Sequence, residues 1–232
     1  MAGAPDAGLR AWIGEKIADS LASPLPLATP RTLHGPAGLP GKATAVVGMR
    51  RVGKTTFLHQ LRRERLKLGV GRERLPYVNF EDERLVGIEA KDLGLFVEEY
   101  YRLQPALRGK ATVTWCFDEI QVVPGWERFV RRLLDTEKVE VFLSGSSAAL
   151  LSREIATALR GRAWEVAIFP FSFGEFLLHH DRPIPRASGA LPARERSALE
   201  RSFLDYLHGG GFPEAQGLDA ATRHRLLSDY VD

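Results

Sequence analysis

The chain has 232 residues, of which 44% are hydrophobic, and its 32 Lys and Arg residues against 29 Asp and Glu give a net charge of +3. This composition excludes an intrinsically disordered chain, and the small net charge does not by itself indicate nucleic-acid binding. A single cysteine, Cys116, excludes a disulfide framework. The chain shows neither a signal peptide nor an apolar run of the roughly 18 residues that a membrane span needs, so we expect a cytoplasmic protein without a membrane partner.

The first 41 residues divide into a helix and a connector. A stripe formed by Ile13, Ile17 and Leu21 predicts an amphipathic helix over residues 6–22. The Pro- and Gly-rich residues 23–41 predict a linker. We therefore expect residues 1–41 to lie outside the main domain.

Apolar, β-prone segments then alternate with helical segments up to Pro170. The predicted strands are 43–48, 75–80, 111–117, 139–144 and 163–169, and the predicted helices are 54–68, 90–105, 126–136 and 152–160. This alternation predicts an α/β fold with a parallel sheet in residues 42–170. After Pro170 the patterns predict only helices, so residues 171–232 are expected to form a small helical appendage.

The strongest motif, GMRRVGKT, runs from Gly48 to Thr55 between a predicted strand and a predicted helix. Its spacing is that of a phosphate-binding loop, in which glycines let backbone amides wrap closely around phosphates. In such a loop Lys54 supplies a positive charge to the β- and γ-phosphates, and the Thr55 hydroxyl binds Mg²⁺. The candidate nucleotide-binding residues are Gly48, Arg50, Arg51, Val52, Gly53, Lys54, Thr55 and Thr56.

Two further strands end in polar residues that suit this chemistry. Asp118 and Glu119 follow the apolar segment TVTWCF, and Ser144 ends the segment VFLS. Because ligands bind at the carboxyl ends of parallel strands, Asp118 is expected to hold Mg²⁺ and Glu119 to orient the attacking water. Ser144 is the first choice among Ser144, Ser146 and Ser147 for a hydroxyl that senses the γ-phosphate, and a helix cap is the alternative role for this group.

The combination of GMRRVGKTT, YVNFEDERL, WCFDEIQVVPGWERFVRRLLD, VFLSGSSAALLSREIATALRGR, FPFSFGEFL and GGFPEA resembles the AAA+-like P-loop ATPases of bacteria and archaea. Within these, the chain resembles the STAND-related group, many of which carry a C-terminal domain of unknown function. The resemblance extends from about residue 40 to the end of the sequence. It implies a five-stranded sheet of order 5-1-4-3-2, with helices on both faces and a helical lid.

The resemblance also implies ATP hydrolysis with Mg²⁺, with Lys54 and Glu119 as catalytic residues. Arg162 resembles an arginine that reaches the γ-phosphate in its own site or in a neighbouring subunit, and a solvated strand edge is the alternative. Pro213 resembles a lid proline that packs on the nucleotide, and helix punctuation is the alternative. Related chains continue past Tyr230, so we expect that the chain is truncated or lacks an effector domain.

We therefore predict a Mg²⁺-dependent regulatory ATPase whose hydrolysis is coupled to self-association, a protein partner or an effector domain. Two other functions remain open. A small-molecule P-loop kinase would transfer phosphate to a bound acceptor, whereas a Glu next to the Mg²⁺ ligand favours water. A nucleic-acid motor is supported only by the basic stretch 61–74, which lacks interleaved aromatic residues.

Overall fold

Five parallel strands form the centre of the fold in a computed structural model, which describes residues 7–33, 35–145, 159, 161–185 and 191–230. The strands are β1 Ala43–Val47, β2 Tyr77–Asn79, β3 Val113–Asp118, β4 Val139–Ser144 and β5 Ala163–Ala167. Their order is β2-β3-β4-β1-β5, and each neighbouring pair is parallel. This confirms the predicted order 5-1-4-3-2.

Helices cover both faces of the sheet. The described helices are α1 Ala7–Ala22, α2 Lys54–Lys67, α3 Leu93–Leu103, α4 Trp126–Thr136, α5 Phe173–His179, α6 Ala193–Gly209 and α7 Ala220–Ser228. The strands β2 and β5 are shorter than predicted, and of the helix predicted at 152–160 only Leu159 lies within the described residues.

The sheet separates two hydrophobic clusters, because successive side chains of a strand point to opposite faces. In β3, Trp115 and Phe117 belong to the cluster under α3 and α4, whereas Cys116 belongs to the cluster under α2. All three side chains are fully buried. Strands buried on both faces are typical of parallel sheets, which explains the nearly continuous apolar sequence of β3.

The first helix packs into the main core. Ile13 and Ile17 of α1 are fully buried in the same cluster as Phe96 and Trp115. Arg10 of α1 donates hydrogen bonds to the exposed carboxylate of Glu98 and to the buried carboxylate of Glu99. The predicted helix is thus confirmed, but the expectation that it lies outside the main domain is wrong, because α1 contributes two buried side chains to the core of that domain. The domain boundary at residue 41 remains a prediction.

The C-terminal helices surround a tight turn at residues 210–213. The Gly211 carbonyl accepts a hydrogen bond of 2.5 Å from the amide of Phe171, and a Cβ atom on Gly211 would lie 2.3 Å from the Phe171 carbonyl oxygen. The Tyr206 hydroxyl of α6 donates a hydrogen bond of 2.8 Å to the Phe171 carbonyl. These bonds hold the C-terminal helices against the segment that follows β5.

Candidate nucleotide-binding site

The loop between β1 and α2 has the backbone that the motif predicts. Gly48 passes so close to the chain after β5 that a Cβ atom would lie 2.3 Å from the Ile168 carbonyl oxygen. Gly53 has a φ of 95°, a left-handed conformation that glycine adopts without strain. Arg51 also has a positive φ, of 61°, which is uncommon for a residue with a side chain. The loop therefore holds a strained conformation of the kind found at functional sites.

Lys54 is buried and folds back over the loop that precedes it. Its ammonium group donates hydrogen bonds to the carbonyls of Gly48, over 3.1 Å, and Met49, over 2.9 Å. Burial lowers the pKa of Lys54, although Glu119 and Asp118 attract its positive charge. Phosphate oxygens that entered the loop would offer this ammonium stronger acceptors than the two carbonyls.

The Asp118 carboxylate, at the end of β3, accepts hydrogen bonds from residues of α2, β2 and β4. The Asp118 side chain is buried, and its Oδ2 atom accepts hydrogen bonds of 2.7 Å from the hydroxyls of Thr55 and Tyr77. The Ser144 hydroxyl, at the end of β4, donates to the other carboxylate oxygen. The structure thus brings together Thr55, Asp118 and Ser144, whereas Ser146 and Ser147 lie outside the described residues. A contact between Ser144 and the γ-phosphate remains a prediction.

Tyr77 is a site residue that the motifs did not reveal. It lies on β2, where the pairing of Tyr77 with Cys116 directs its side chain along the same face as Asp118. Burial, followed by the nearby charge of Asp118, raises the pKa of Tyr77 far above its ordinary value, so its hydroxyl remains a proton donor. The only available signal was a tyrosine in the strand segment LPYVNF.

The oxygen atoms at this point suit a magnesium ion. Mg²⁺ prefers oxygen ligands and is commonly held in P-loop proteins by one hydroxyl, one carboxylate, water and phosphates. The Thr55 hydroxyl and the Asp118 carboxylate, 2.7 Å apart, provide that donor set. Among the described residues no group of three or more His, Cys, Asp or Glu side chains forms a metal cage, so a metal here would need ligands from nucleotide and water.

Glu119 follows Asp118 in a left-handed conformation with a φ of 54°. Its amide donates to the Ser144 hydroxyl over 3.4 Å, and its carboxylate accepts a hydrogen bond of 2.6 Å from the Gln121 side chain. The strained backbone turns Glu119 out of the strand direction, and Gln121 fixes the orientation of its carboxylate. A carboxylate held in this way, beside the metal ligand, is suited to accept a proton from water.

A second layer of side chains packs behind Tyr77. The His59 ring lies 4.6 Å from the Tyr77 ring, and the Arg62 guanidinium lies 5.6 Å from it. Burial, reinforced by the positive charge of Arg62, lowers the pKa of His59 to about 4. His59 is therefore neutral at pH 7.

The remaining loop residues differ in what they offer a nucleotide. Val52 is fully buried, so its backbone but not its side chain is available. Arg50 and Thr55 are exposed, and Thr56 is half-buried. The exposed Arg51 donates a hydrogen bond of 2.5 Å to Glu214, and its guanidinium lies 5.5 Å from the centre of the Tyr230 ring.

Pro213 begins a single helical turn, Pro213–Ala215, next to this contact. The C-terminal region thus contacts the loop through Glu214 and Tyr230, two residues that sequence reasoning missed. A contact between Pro213 and the nucleotide remains a prediction.

Arg162 lies at the opposite end of the sheet from the loop. Its carbonyl accepts a hydrogen bond of 2.8 Å from the amide of Ala43, which is the first residue of β1. The phosphate loop, by contrast, follows Val47, which is the last residue of β1. Five residues at about 3.3 Å each place these ends roughly 16 Å apart. The Arg162 guanidinium pairs with Asp135 of α4. This placement does not fit a role for Arg162 in the site of its own chain. A role in a neighbour's site remains a prediction, and a solvated strand edge, paired with Asp135, remains its alternative. Arg160 lies outside the described residues.

Comparisons with known proteins agree with this geometry. Residues 40–177 match the family described as AAA domain. The chain belongs to this family. It is thus an AAA-type P-loop nucleotide-binding domain, with the sheet order and loop described above.

Two curated relatives are similar over most of the chain. An uncharacterized protein of Methanocaldococcus jannaschii is 37% identical over 195 residues, which cover 84% of this chain and 41% of the relative. An uncharacterized protein of Haemophilus influenzae is 31% identical over 188 residues, covering 81% of this chain and 43% of the relative. The chain therefore spans about two fifths of the length of these relatives.

Solved structures show a more distant likeness. The structure of C. elegans PCH-2 superposes with a TM-score of 0.46 at 13% identity, over 95% of this chain and 60% of that one. The Aeropyrum pernix ORC2 protein gives a TM-score of 0.38 at 11% identity, over 96% of this chain and 67% of that one.

No helix within the described ranges has the length and apolar character of a membrane span.

Proposed function

We propose that the chain binds ATP with Mg²⁺ at residues 48–56 and hydrolyses it. The observation that carries this proposal is the meeting of Thr55, Tyr77 and Ser144 on the Asp118 carboxylate, directly before Glu119. A phosphate loop alone would fit any nucleotide-binding protein. A carboxylate pair at the end of the neighbouring strand adds the groups that metal binding and water activation need.

Each residue then has a distinct task. The amides between Gly48 and Thr55 and the Lys54 ammonium bind and orient the phosphates, which places the γ-phosphate near β3. Thr55 and Asp118 would hold Mg²⁺, which supplies positive charge to the phosphate oxygens. Glu119 orients a water molecule and accepts its proton as the water attacks the γ-phosphorus. The Ser144 hydroxyl donates to the Asp118 carboxylate and accepts from the Glu119 amide, and it thereby fixes these two groups relative to each other.

The nucleic-acid alternative loses its support in the basic stretch 61–74. The Arg62 and Arg74 side chains donate to the carbonyls of Leu75 and Thr112, over 2.9 and 2.8 Å. Arg65 pairs with Glu140, and Arg72 donates to the Leu21 carbonyl. These arginines serve the fold, so nucleic acid is the weaker proposal. Within the part of the chain that the structure describes, no observation specifically favours a kinase.

Coupling of hydrolysis to self-association, a protein partner or a further domain remains part of the proposal. Its support is that the curated relatives are more than twice as long as the matched region. A cytoplasmic location likewise remains a prediction from the sequence.

The test measures nucleotide binding by calorimetry and phosphate release without an added acceptor. Lys54→Ala is expected to weaken ATP binding at least about tenfold, because a charged hydrogen-bond donor to phosphate is lost. Glu119→Gln is expected to bind ATP normally and lose hydrolysis. Unchanged affinity in Lys54→Ala would contradict the binding site, and normal turnover in Glu119→Gln would place the base elsewhere.

A further inference from the structure

Arg31 belongs to the predicted linker, yet its side chain is only 5% exposed. The guanidinium donates a hydrogen bond of 2.7 Å to the Val52 carbonyl, within the phosphate loop. It also donates to the Phe169 carbonyl and, over 3.2 Å, to the Glu175 carboxylate of α5. Its central carbon lies 4.9 Å from the centre of the Phe171 ring. One buried arginine therefore joins the loop, the segment after β5 and the first C-terminal helix.

Both ends of this contact are fixed in place. The Gln60 side chain of α2 accepts from the Arg31 amide over 2.7 Å and donates to the Arg31 carbonyl over 3.0 Å. Glu175 accepts from the amides of Thr32, over 2.7 Å, and Ser172, over 2.8 Å. Burial alone would raise the pKa of Glu175, but these amides and Arg31 outweigh it and lower the pKa. The Glu175 carboxylate therefore stays ionised at neutral pH.

The bond to Val52 constrains one peptide group of the loop. The described peptide bonds are trans, so the carbonyl of Val52 and the amide of Gly53, which belong to one planar unit, point in opposite directions. With the carbonyl held by Arg31, the Gly53 amide is directed away from Arg31. In phosphate loops such amides bind the α- and β-phosphates. Release of the carbonyl would let this peptide unit rotate and misdirect the donor.

We propose that Arg31 is a positioning residue for the phosphate loop, which holds the Val52–Gly53 peptide so that the Gly53 amide donates to a nucleotide phosphate. The inference rests on the proposed nucleotide binding at this loop. It gives the linker a function at the nucleotide site. Because Arg31 also pairs with Glu175 of α5, the conformation of the phosphate loop would depend on the position of α5.

The test compares ADP affinity and the Gly53 amide resonance in Arg31→Ala, Arg31→Lys and the wild type, without Mg²⁺. One well-aligned hydrogen bond to a charged group corresponds to about a tenfold change in affinity. We expect Arg31→Ala to bind ADP about tenfold more weakly, with a reduced shift of the Gly53 amide proton on ADP addition. Arg31→Lys retains the charge but lacks the forked guanidinium, so we expect a loss there too; this variant decides the outcome if Arg31→Ala does not fold.

The matched control is Arg74→Ala, since Arg74 also donates to a main-chain carbonyl but lies at the amino end of β3. It should change ADP affinity less than twofold, with the wild-type Gly53 shift. Wild-type ADP affinity in both Arg31 variants, together with a loss in Lys54→Ala, would overturn the role of Arg31 and leave nucleotide binding intact. Failure of the wild type to bind ADP would overturn both proposals.

Discussion

The Asp118 carboxylate accepts hydrogen bonds from three hydroxyl groups, and that of Tyr77 comes from the edge strand β2. Thr55 could be identified as a site residue from the loop motif, and Ser144 from its position at the end of a predicted strand. The contact of Tyr77 with Asp118 could not be predicted in this way, because it depends on the pairing of β2 with β3, which no local sequence pattern specifies. Its hydroxyl limits the rotation of the carboxylate that is proposed to bind magnesium.

We therefore expect Tyr77→Phe to raise the Mg²⁺ concentration needed for half-maximal ATP turnover and for tight ATP binding. One neutral hydrogen bond corresponds to roughly a fivefold effect. Calorimetry with ADP in the absence of Mg²⁺ should show no change. Tyr100→Phe is the control, because it removes a buried hydroxyl that donates to the Glu73 carbonyl over 2.7 Å, away from the site. An equal Mg²⁺ requirement in both variants would contradict the role of Tyr77.

His59 gives the stability of the chain a defined pH dependence. Its pKa is about 4 in the folded chain against an ordinary value of 6.5, so between these values the unfolded state binds a proton that the folded state does not. Stability should therefore fall as the pH falls from about 6.5 to about 4, by at most about 1.4 kcal/mol per pH unit from this group. In His59→Gln this contribution is absent. Urea unfolding at pH 7 and pH 5 measures it, and equal pH dependence in both proteins would contradict it.

At the scale of elements, α1 joins the core through two buried isoleucines although it precedes the matched family region. Truncation of a buried aliphatic side chain typically costs about 2–5 kcal/mol. We expect Ile17→Ala to lower the free energy of unfolding by about this amount. Leu27→Ala, in the linker, removes a side chain that is 92% exposed and should have almost no effect. Denaturant titration compares the two, and equal stabilities would show that α1 does not support the fold.

Local patterns predicted most elements, because strand and helix periodicities are properties of short segments. The bounds of α4 and β4 agree with the sequence, and the loop, Asp118 and Glu119 follow from spacing along the chain. The strand order came from the family resemblance. Arg31, Tyr77 and Glu214 were missed because each acts through contacts with residues distant in sequence, which depend on how elements pack together.

At the scale of the whole molecule, Arg162 lies at the amino end of the edge strand β5, away from the loop of its own chain. If chains associate so that this end faces a neighbour's nucleotide, Arg162 would neutralise charge that develops on the γ-phosphate there. Arginines supplied in this way accelerate hydrolysis about 10³–10⁵-fold. We expect turnover of the wild type to rise with protein concentration and that of Arg162→Ala to stay low, with similar ATP affinity.

A mixture of Arg162→Ala with Glu119→Gln is expected to regain part of the activity, because a site with Glu119 could then receive an intact Arg162. Phosphate release by the mixture, compared with each variant alone, measures this. Wild-type turnover of Arg162→Ala at every concentration would leave Arg162 with only its pairing to Asp135.

Cys116, in the middle of β3, gives the chain a practical property. It is the only cysteine, it is fully buried, and burial raises the pKa of its thiol to about 12. Because the thiolate is the reactive form, maleimide dyes should not label the folded wild type. A single introduced cysteine, such as Ser228→Cys on the exposed side of α7, can then carry a fluorophore without removal of the native one. Fluorescence from that site would report movement of the C-terminal helices on nucleotide addition, and slow labelling of Cys116 itself would report the rate of global unfolding.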